Sequence, residues 1–302
     1  MKKYAGLIAA IAASVIFALA SVLGRLTFDL GSNSVMITFL RCTLAVPVLF
    51  LLLKFLKIPL RVTRRELLDL AVVALLGYAP SSLLLFSAFN FIAVGPATVL
   101  HFLFPTFVTL LNAFIYKMKI NRLTIAALLF ATLGTFFFFD DSSQLALTGV
   151  LLALTSAVTY TIYSLGVEHT SLKTMAPLKV SFYLSAIGAV EVGLFAYFSG
   201  YMTFALAPMA WVYTFLVAIT VTVIGFTLLQ WGIGEIGATT ASIVSTAEPV
   251  TGILLGWVML NETLDLQKGI ASVAIIVSVI LVILSEKRYN GTKAALRSEK
   301  RD

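Results

Sequence analysis

The chain has 302 residues, 60% of them hydrophobic and only 12% charged, with a mean hydropathy of +1.02. Soluble domains run about 45–50% apolar and about 25% charged, so no water-soluble core accounts for this composition, and the natural solvent is lipid. The net charge of +7 is no signal for nucleic acid by itself, and one cysteine and two histidines exclude an internal disulfide and leave little for a metal site.

A membrane-spanning helix needs ~20 mostly apolar residues. Ten runs qualify in chain order: 4–26, 33–56, 67–90, 94–116, 121–139, 146–168, 176–200, 208–232, 238–260 and 266–285. The first, within MKKYAGLIAAIAASVIFALASVLG, carries two lysines and an Ala18-Leu19-Ala20 that mimics a leader cleavage site. Its apolar run is of spanning length and a later segment resembles it, so it reads as a span. Run length and the lack of period-two alternation predict helices rather than barrel strands. The segment from 286, EKRYNGTKAALRSEKRD, has no sustained apolar face and reads as a disordered basic tail. Its Asn290-Gly291-Thr292 matches a glycosylation acceptor only weakly.

Basic residues orient the spans, because cytoplasmic loops collect Lys and Arg. With the N-terminus inside, Lys2 and Lys3 fall inside, as do Lys54, Lys57, Arg61, Arg64 and Arg65. So do Lys117, Lys119 and Arg122, then Lys173, then the tail. The outer 139–146 loop carries Asp140 and Asp141 and no base. Both termini are therefore expected in the cytoplasm, with lipid head-group binding by the tail an optional extra.

Residues 6–21, GLIAAIAASVIFALAS, align with 149–164, GVLLALTSAVTYTIYS, at an offset of 143. Residues 97–112, ATVLHFLFPTFVTLLN, align with 241–256, ASIVSTAEPVTGILLG, at an offset of 144, which lays Pro105 on Pro249. Each half then holds five spans, residues 1–143 and 144–285, and an odd number turns the second half upside down. The charges agree: the hairpin YKMKINR is basic and the aligned LNETLDL is acidic. The expected fold is an all-α membrane protein of ten transmembrane helices in two inverted five-helix repeats. Inverted repeats are the architecture of alternating-access transporters.

The segments FPTFVTLLNAFIYKMKINRLTIAALLFATLGTFFFF and EPVTGILLGWVMLNETLDLQKGIASVAIIVSVILVIL resemble the ends of EamA domains of the drug/metabolite transporter superfamily. Each has a proline in the fourth helix of its repeat, then a polar hairpin and a last helix. Arg41, in TFLRCTLA, resembles the arginine common in the second helix of that family. The chain departs from the pattern at Lys117-Met118-Lys119, where an acidic hairpin is usual, and at Ser278, which aligns with Gly134. The resemblance covers about 4–285 and implies ten helices and movement of small metabolites.

Charges inside spans are costly and point to function. Glu248 lies near the middle of 238–260, on a small and polar stripe with Ala241, Ser245, Gly252 and Gly256. Gly252 and Gly256 form a GxxxG pair, which permits close helix approach. Pro249 frees the carbonyl at Ser245. Glu248 either pairs with a fixed base or lines a central cavity, binding a cationic group or a coupling proton. His101 occupies the aligned stripe with Ala97, Phe104, Val108 and Asn112, as a packing residue or as a polar group on the same cavity. Arg41 and Glu191 sit at similar depth on equivalent helices, either as a static ion pair or with Arg41 free to hold a substrate carboxylate. Among the aromatics Phe17, Tyr78, Tyr160, Tyr163, Trp211 and Trp231, Tyr160 and Tyr163 are candidates for cavity lining.

No Walker A sequence or catalytic cluster is present, and no cofactor is expected. The reading is an inner-membrane exporter of small organic metabolites, amino acids or related compounds, working as a monomer in lipid, with proton coupling left open. The alternatives are proton-coupled efflux of cationic toxic compounds, a sugar importer, and a membrane enzyme or receptor without transport, for which no catalytic cluster or ligand-coupled domain is seen.

Overall fold

The computed structural model describes residues 2–92, 94–118, 120–137, 146–260 and 266–298; the side chains at 2, 21, 22, 25, 95, 253, 255–260, 268 and 286–298 are not described. The 139–146 loop apart from 146, the turn at 261–265 within the acidic hairpin, Lys119 and the side chains around Asn290 therefore lie outside the described residues. Helices are the only regular structure among those described. They are α1 (Lys2–Phe28), α2 (Ser34–Phe55), α3 (Arg64–Ala88), α4 (Val94–His101), α5 (Phe104–Phe114) and α6 (Arg122–Phe136). The second series is α7 (Leu147–His169), α8 (Pro177–Ser199), α9 (Pro208–Ile236), α10 (Ala238–Ser245), α11 (Ala247–Leu260) and α12 (Leu266–Ser298).

Among the described residues seven runs are long and apolar enough to cross a membrane: α1, α2, α3, the stretch Pro96–Phe114 across α4 and α5, α7, α8 and α9. The expected ten spans therefore do not all stand as full-length helices. At 15 residues, α6 reaches only ~22 Å, short of the ~30 Å of hydrocarbon in a typical bilayer. The apolar part of α12, Gly269–Ser285, is likewise short. The candidate 238–260 divides at Thr246 into α10 and α11. The tail read as disordered is instead helical as far as Ser298, a continuation of α12. Its Lys, Ala, Leu and Arg residues are good helix formers, and an existing helix spares them the cost of nucleation.

Both breaks fall where the prolines are. Pro105 is the second residue of α5, and Pro249 is in the first turn of α11. A first-turn N–H has no partner within its own helix, so a proline there loses nothing. The chain thus places each proline just after an interruption rather than in mid-helix. The last residues before the breaks, His101 and Ser245, are 144 positions apart. The same spacing separates two π-helical segments, Ala74–Tyr78 within α3 and Ala218–Gly225 within α9, which begin at equivalent positions. π-helix is rare and concentrates at functional sites.

Packing follows the same correspondence. α1 lies on α9 and α11, while α7 lies on α3 and α5; α2 packs on α8, and α6 on α12. Exchanging the first six helices for the last six leaves these pairings unchanged. Gly77, inside the first π-helical segment, lets α3 and α7 meet, since a methyl there would sit 2.7 Å from the Tyr163 backbone nitrogen. Leu51, Phe55, Phe114, Leu194 and Phe198 point outward, as a lipid-facing surface requires. The interior between α1, α3, α7 and α9 is aromatic: Phe226 stands 5.0 Å from Phe17, 4.7 Å from Tyr78 and 5.6 Å from Tyr163, between ring centres.

Candidate functional site

Above this aromatic floor lies a cavity of about 80 Å³. Its wall includes Phe17, Arg41, His101, Tyr160, Ser245 and Glu248, so helices of both series contribute to it. The volume suits a few waters, well below the ~300 Å³ at which ligand pockets begin.

Arg41 is 1% exposed. Its Nη2 donates to Ser82 Oγ at 2.7 Å, and its Nη1 faces Thr222 Oγ1 at 3.2 Å and Tyr78 Oη at 3.4 Å. The guanidinium carbon also stands 5.3 Å from the centre of the Tyr78 ring and 5.6 Å from that of Phe226, within cation–π range. Tyr78 closes the first π-helical segment and Thr222 lies inside the second, so the two irregular segments converge on one nitrogen. Tyr78 Oη in turn lies 3.3 Å from Ser185 Oγ. All these partners are neutral. Among the described residues no carboxylate pairs with Arg41, so of the two arrangements the sequence left open the static ion pair with Glu191 does not form. A buried cation without a counter-charge is costly unless something else supplies one.

Glu248 sits in the first turn of α11, where the positive end of the helix dipole favours a carboxylate. It lines the cavity and makes no hydrogen bond or ion pair with the described residues. Ser245, before the break, donates its hydroxyl to the Ala241 carbonyl at 3.0 Å. His101 ends α4 with its Nδ1 2.9 Å from Ser156 Oγ and its ring flanked by Phe104 and Tyr160, at 5.4 and 5.3 Å between ring centres.

Of the candidate residues taken from sequence, Arg41, His101, Tyr160, Ser245 and Glu248 meet on this cavity, with Phe17 and Phe104 beside them, whereas Tyr163, Glu191 and Asn112 do not line it. Tyr163 is buried behind Tyr160, its ring 5.4 Å away, and its hydroxyl has no partner among the described residues. Glu191 is half-buried on α8 and does not line the cavity; its Oε2 is enclosed without a hydrogen bond. Gly252 permits no close helix approach here, because a methyl on it would meet nothing within 4 Å; nothing is described of the Gly256 side. The α10–α11 break turns that stretch away from the continuous stripe that an unbroken helix implies.

Asn112 belongs to a second cluster, two turns along α5 from Phe104. Its Nδ2 donates to Glu168 Oε2 at 3.1 Å and to Thr239 Oγ1 at 2.9 Å, and its Oδ1 accepts from His169 Nε2 at 2.6 Å. Glu168 Oε2 also accepts the Ala238 N–H at 2.9 Å, satisfying the first turn of α10. Gly237 makes room: its φ is +83°, and a methyl on it would lie 2.9 Å from Glu168 Oε1. Tyr116 stacks on His169 at 3.5 Å. This cluster borders a wider cavity of about 490 Å³ that also touches Lys3, Lys173 and Glu235. Glu168 escaped the sequence reading because an acid at the end of a span looks like an ordinary interfacial residue; its only signal is its place beside His169. Among the described residues no group of three or more His, Cys, Asp or Glu could hold a metal ion.

The model of the EamA-like transporter family matches the chain twice, over residues 4–139 and 147–284. The chain belongs to the EamA-like transporter family. It is similar to the uncharacterized transporter YetK of Bacillus subtilis (strain 168), with 23% identity over 241 residues, 77% of this chain and 73% of YetK. It is also similar to the uncharacterized inner membrane transporter YicL of Salmonella typhimurium (strain LT2), with 24% identity over 229 residues, 74% of this chain and 76% of YicL. A protein of known crystal structure superimposes with a TM-score of 0.78 at 18% identity, over 94% of this chain and 98% of its own. That likeness is one of fold. This EamA-like transporter is thus a multi-pass membrane protein.

Proposed function

We propose that this transporter carries small zwitterions, amino acids or close relatives, outward across the inner membrane by alternating access. One observation carries the reading. A single cavity is walled by a buried guanidinium whose partners are all neutral and by a carboxylate with no partner. A zwitterion brings the two missing counter-charges together, its carboxylate for Arg41 and its ammonium for Glu248. The same pair argues against a simple cation as cargo, because Arg41 would repel it. Proton-coupled efflux of cationic compounds is the second reading, favoured only by the free carboxylate of Glu248.

In this reading ten spans form two inverted halves, residues 1–143 and 144–285, with both termini and the tail from 286 in the cytoplasm. The double family match, the matching breaks and π-helical segments, and the exchange-symmetric packing support it. So does the distribution of Lys and Arg. The α4–α5 and α10–α11 pairs each count as one interrupted span, with non-helical backbone facing a cavity rather than lipid. The Asn112–Glu168 cluster joins the halves at the cytoplasmic end, and the wider cavity beside Lys3 and Lys173 would collect cytosolic cargo, which supports export. Glu248 would carry any coupled proton. The unit is a monomer, since the two halves already supply each other's partner.

Exchange of labelled amino acids across proteoliposomes holding the purified protein, with and without a pH gradient, tests this. Exchange of one or more amino acids is expected. No exchange of any of the twenty by folded protein overturns the zwitterion reading and advances the cationic compounds.

A further inference from the structure

His101 has a fixed tautomer, and the network assigns it. Ser156 Oγ lies 2.6 Å from the Ala153 carbonyl oxygen. A carbonyl carries no proton, so the serine hydroxyl must donate into that contact. Its remaining capacity toward His101 is as an acceptor. Nδ1, 2.9 Å away, must therefore carry a hydrogen. In the neutral ring this leaves Nε2 as a bare lone pair. Nε2 has no partner among the described residues, and the ring is 8% exposed on the wall that also holds Glu248. Phe102, Phe104 and Tyr160 surround the ring at 5.9, 5.4 and 5.3 Å between centres and hold its plane. His101 thus brings an oriented acceptor to the cavity that Glu248 also lines.

The geometry points to His101 as the residue that reads the cargo's nitrogen: Nε2 accepts an N–H from the ammonium held by Glu248, so cargo with an N–H on its charged nitrogen is selected over quaternary, betaine-type analogues. The inference rests on the zwitterion reading and sharpens it. Charge attraction to Glu248 alone does not discriminate, because a trimethylammonium carries the same charge. A hydrogen bond does, because the trimethyl form has no N–H and leaves the Nε2 lone pair unpaired in a closed site. Sites built to hydrogen-bond a cargo group reject analogues that lack it more strongly than apolar pockets reject size changes.

The test uses the full chain in proteoliposomes. The amino acid that exchanges best is competed by its N-methyl, N,N-dimethyl and N,N,N-trimethyl derivatives. The first two retain an N–H and the last does not. Wild type is expected to bind the trimethyl form on the order of tenfold to hundredfold more weakly than the parent, the range for a hydrogen bond to a charged group. In His101→Phe, which keeps ring packing and removes the acceptor, that ratio should fall toward one through weaker parent binding alone. His101→Gln, which restores an acceptor, should recover most of it. Ser156→Ala releases the tautomer and should reduce the ratio several-fold. Equal competition by parent and trimethyl forms in wild type overturns the proposal. So does a wild-type ratio retained in His101→Phe, which would assign the discrimination to size. If His101→Phe does not fold, an unchanged ratio in Ser156→Ala decides against it. Absence of any amino-acid exchange in wild type removes the zwitterion reading and this inference together, whereas exchange with unaltered discrimination removes this inference alone.

Discussion

Two polar clusters share α5, α7 and α10 as borders, and they are built on opposite principles. Around Asn112 and Glu168, donors and acceptors meet each other: an amide, a carboxylate, an imidazole, a hydroxyl and a backbone N–H close a network. In the cavity two turns away, Arg41 has only neutral hydroxyls and Glu248 has no partner. Buried polar groups are normally satisfied, and exceptions call for an explanation. The satisfied cluster is a fastening between helices. The incompletely paired Arg41 and Glu248 are what the zwitterion proposal rests on. Both regions hold buried polar side chains, such as Arg41 and His101 in one and Asn112 and Glu168 in the other; hydrogen-bond completion separates them.

The sharpest way to break this contrast is at Arg41. Arg41→Ala should lower amino-acid exchange by at least about a hundredfold, since losing a buried charge-assisted pair costs several kcal/mol. Arg41→Lys should recover only part of it, because an ammonium cannot serve Ser82, Thr222 and a carboxylate in one plane. Initial exchange rates in proteoliposomes check both; a rate in Arg41→Ala within twofold of wild type would refute a cargo role. Next comes Glu248→Gln, which should fold normally and lose the response of exchange to a pH gradient. An unaltered response would take the proton away from Glu248.

At the satisfied cluster the readout changes from transport to stability. Glu168→Ala strips the partner from Asn112 Nδ2 and the Ala238 N–H, and should cost about 1–3 kcal/mol. The thermal midpoint in detergent should fall, while the ranking of competing cargoes stays as in wild type. Gly237→Ala should also lower the midpoint, by strain at φ +83° and crowding of Glu168. The smallest effect is expected at Gly252→Ala, where the added methyl meets open space: both midpoint and exchange should match wild type. A clear loss there would show a partner helix that Gly252 does not touch in this conformation.

Much of the frame was legible in the sequence because it follows from solvent. Apolar runs and the proline-bearing repeat report locally on lipid and backbone, and the aligned Pro105 and Pro249 mark the neighbourhood of both helix breaks, whereas the two π-helical segments, spaced by the same 144 residues, were not anticipated. The site was legible in part. Arg41, His101, Tyr160, Ser245 and Glu248 were singled out as costly polar groups at depth and do meet on one cavity. Ser82 and Thr222 were missed because hydroxyls in spans ordinarily bond their own helix, as Thr38 and Thr109 do here.

By itself, then, the sequence determined that the chain lives in lipid, how its apolar runs are punctuated, and which polar residues lie deep. Only the tertiary structure decided which of those residues face one another. It gave Arg41 hydroxyls instead of Glu191, sent Asn112 to Glu168, and left Glu248 open to the cavity. The reason is geometric. A helix advances about 100° per residue, so periodicity defines a face but not the rotation of that face against its neighbours. That rotation is set by packing between segments far apart in the chain, such as Gly77 of α3 against Tyr163 of α7.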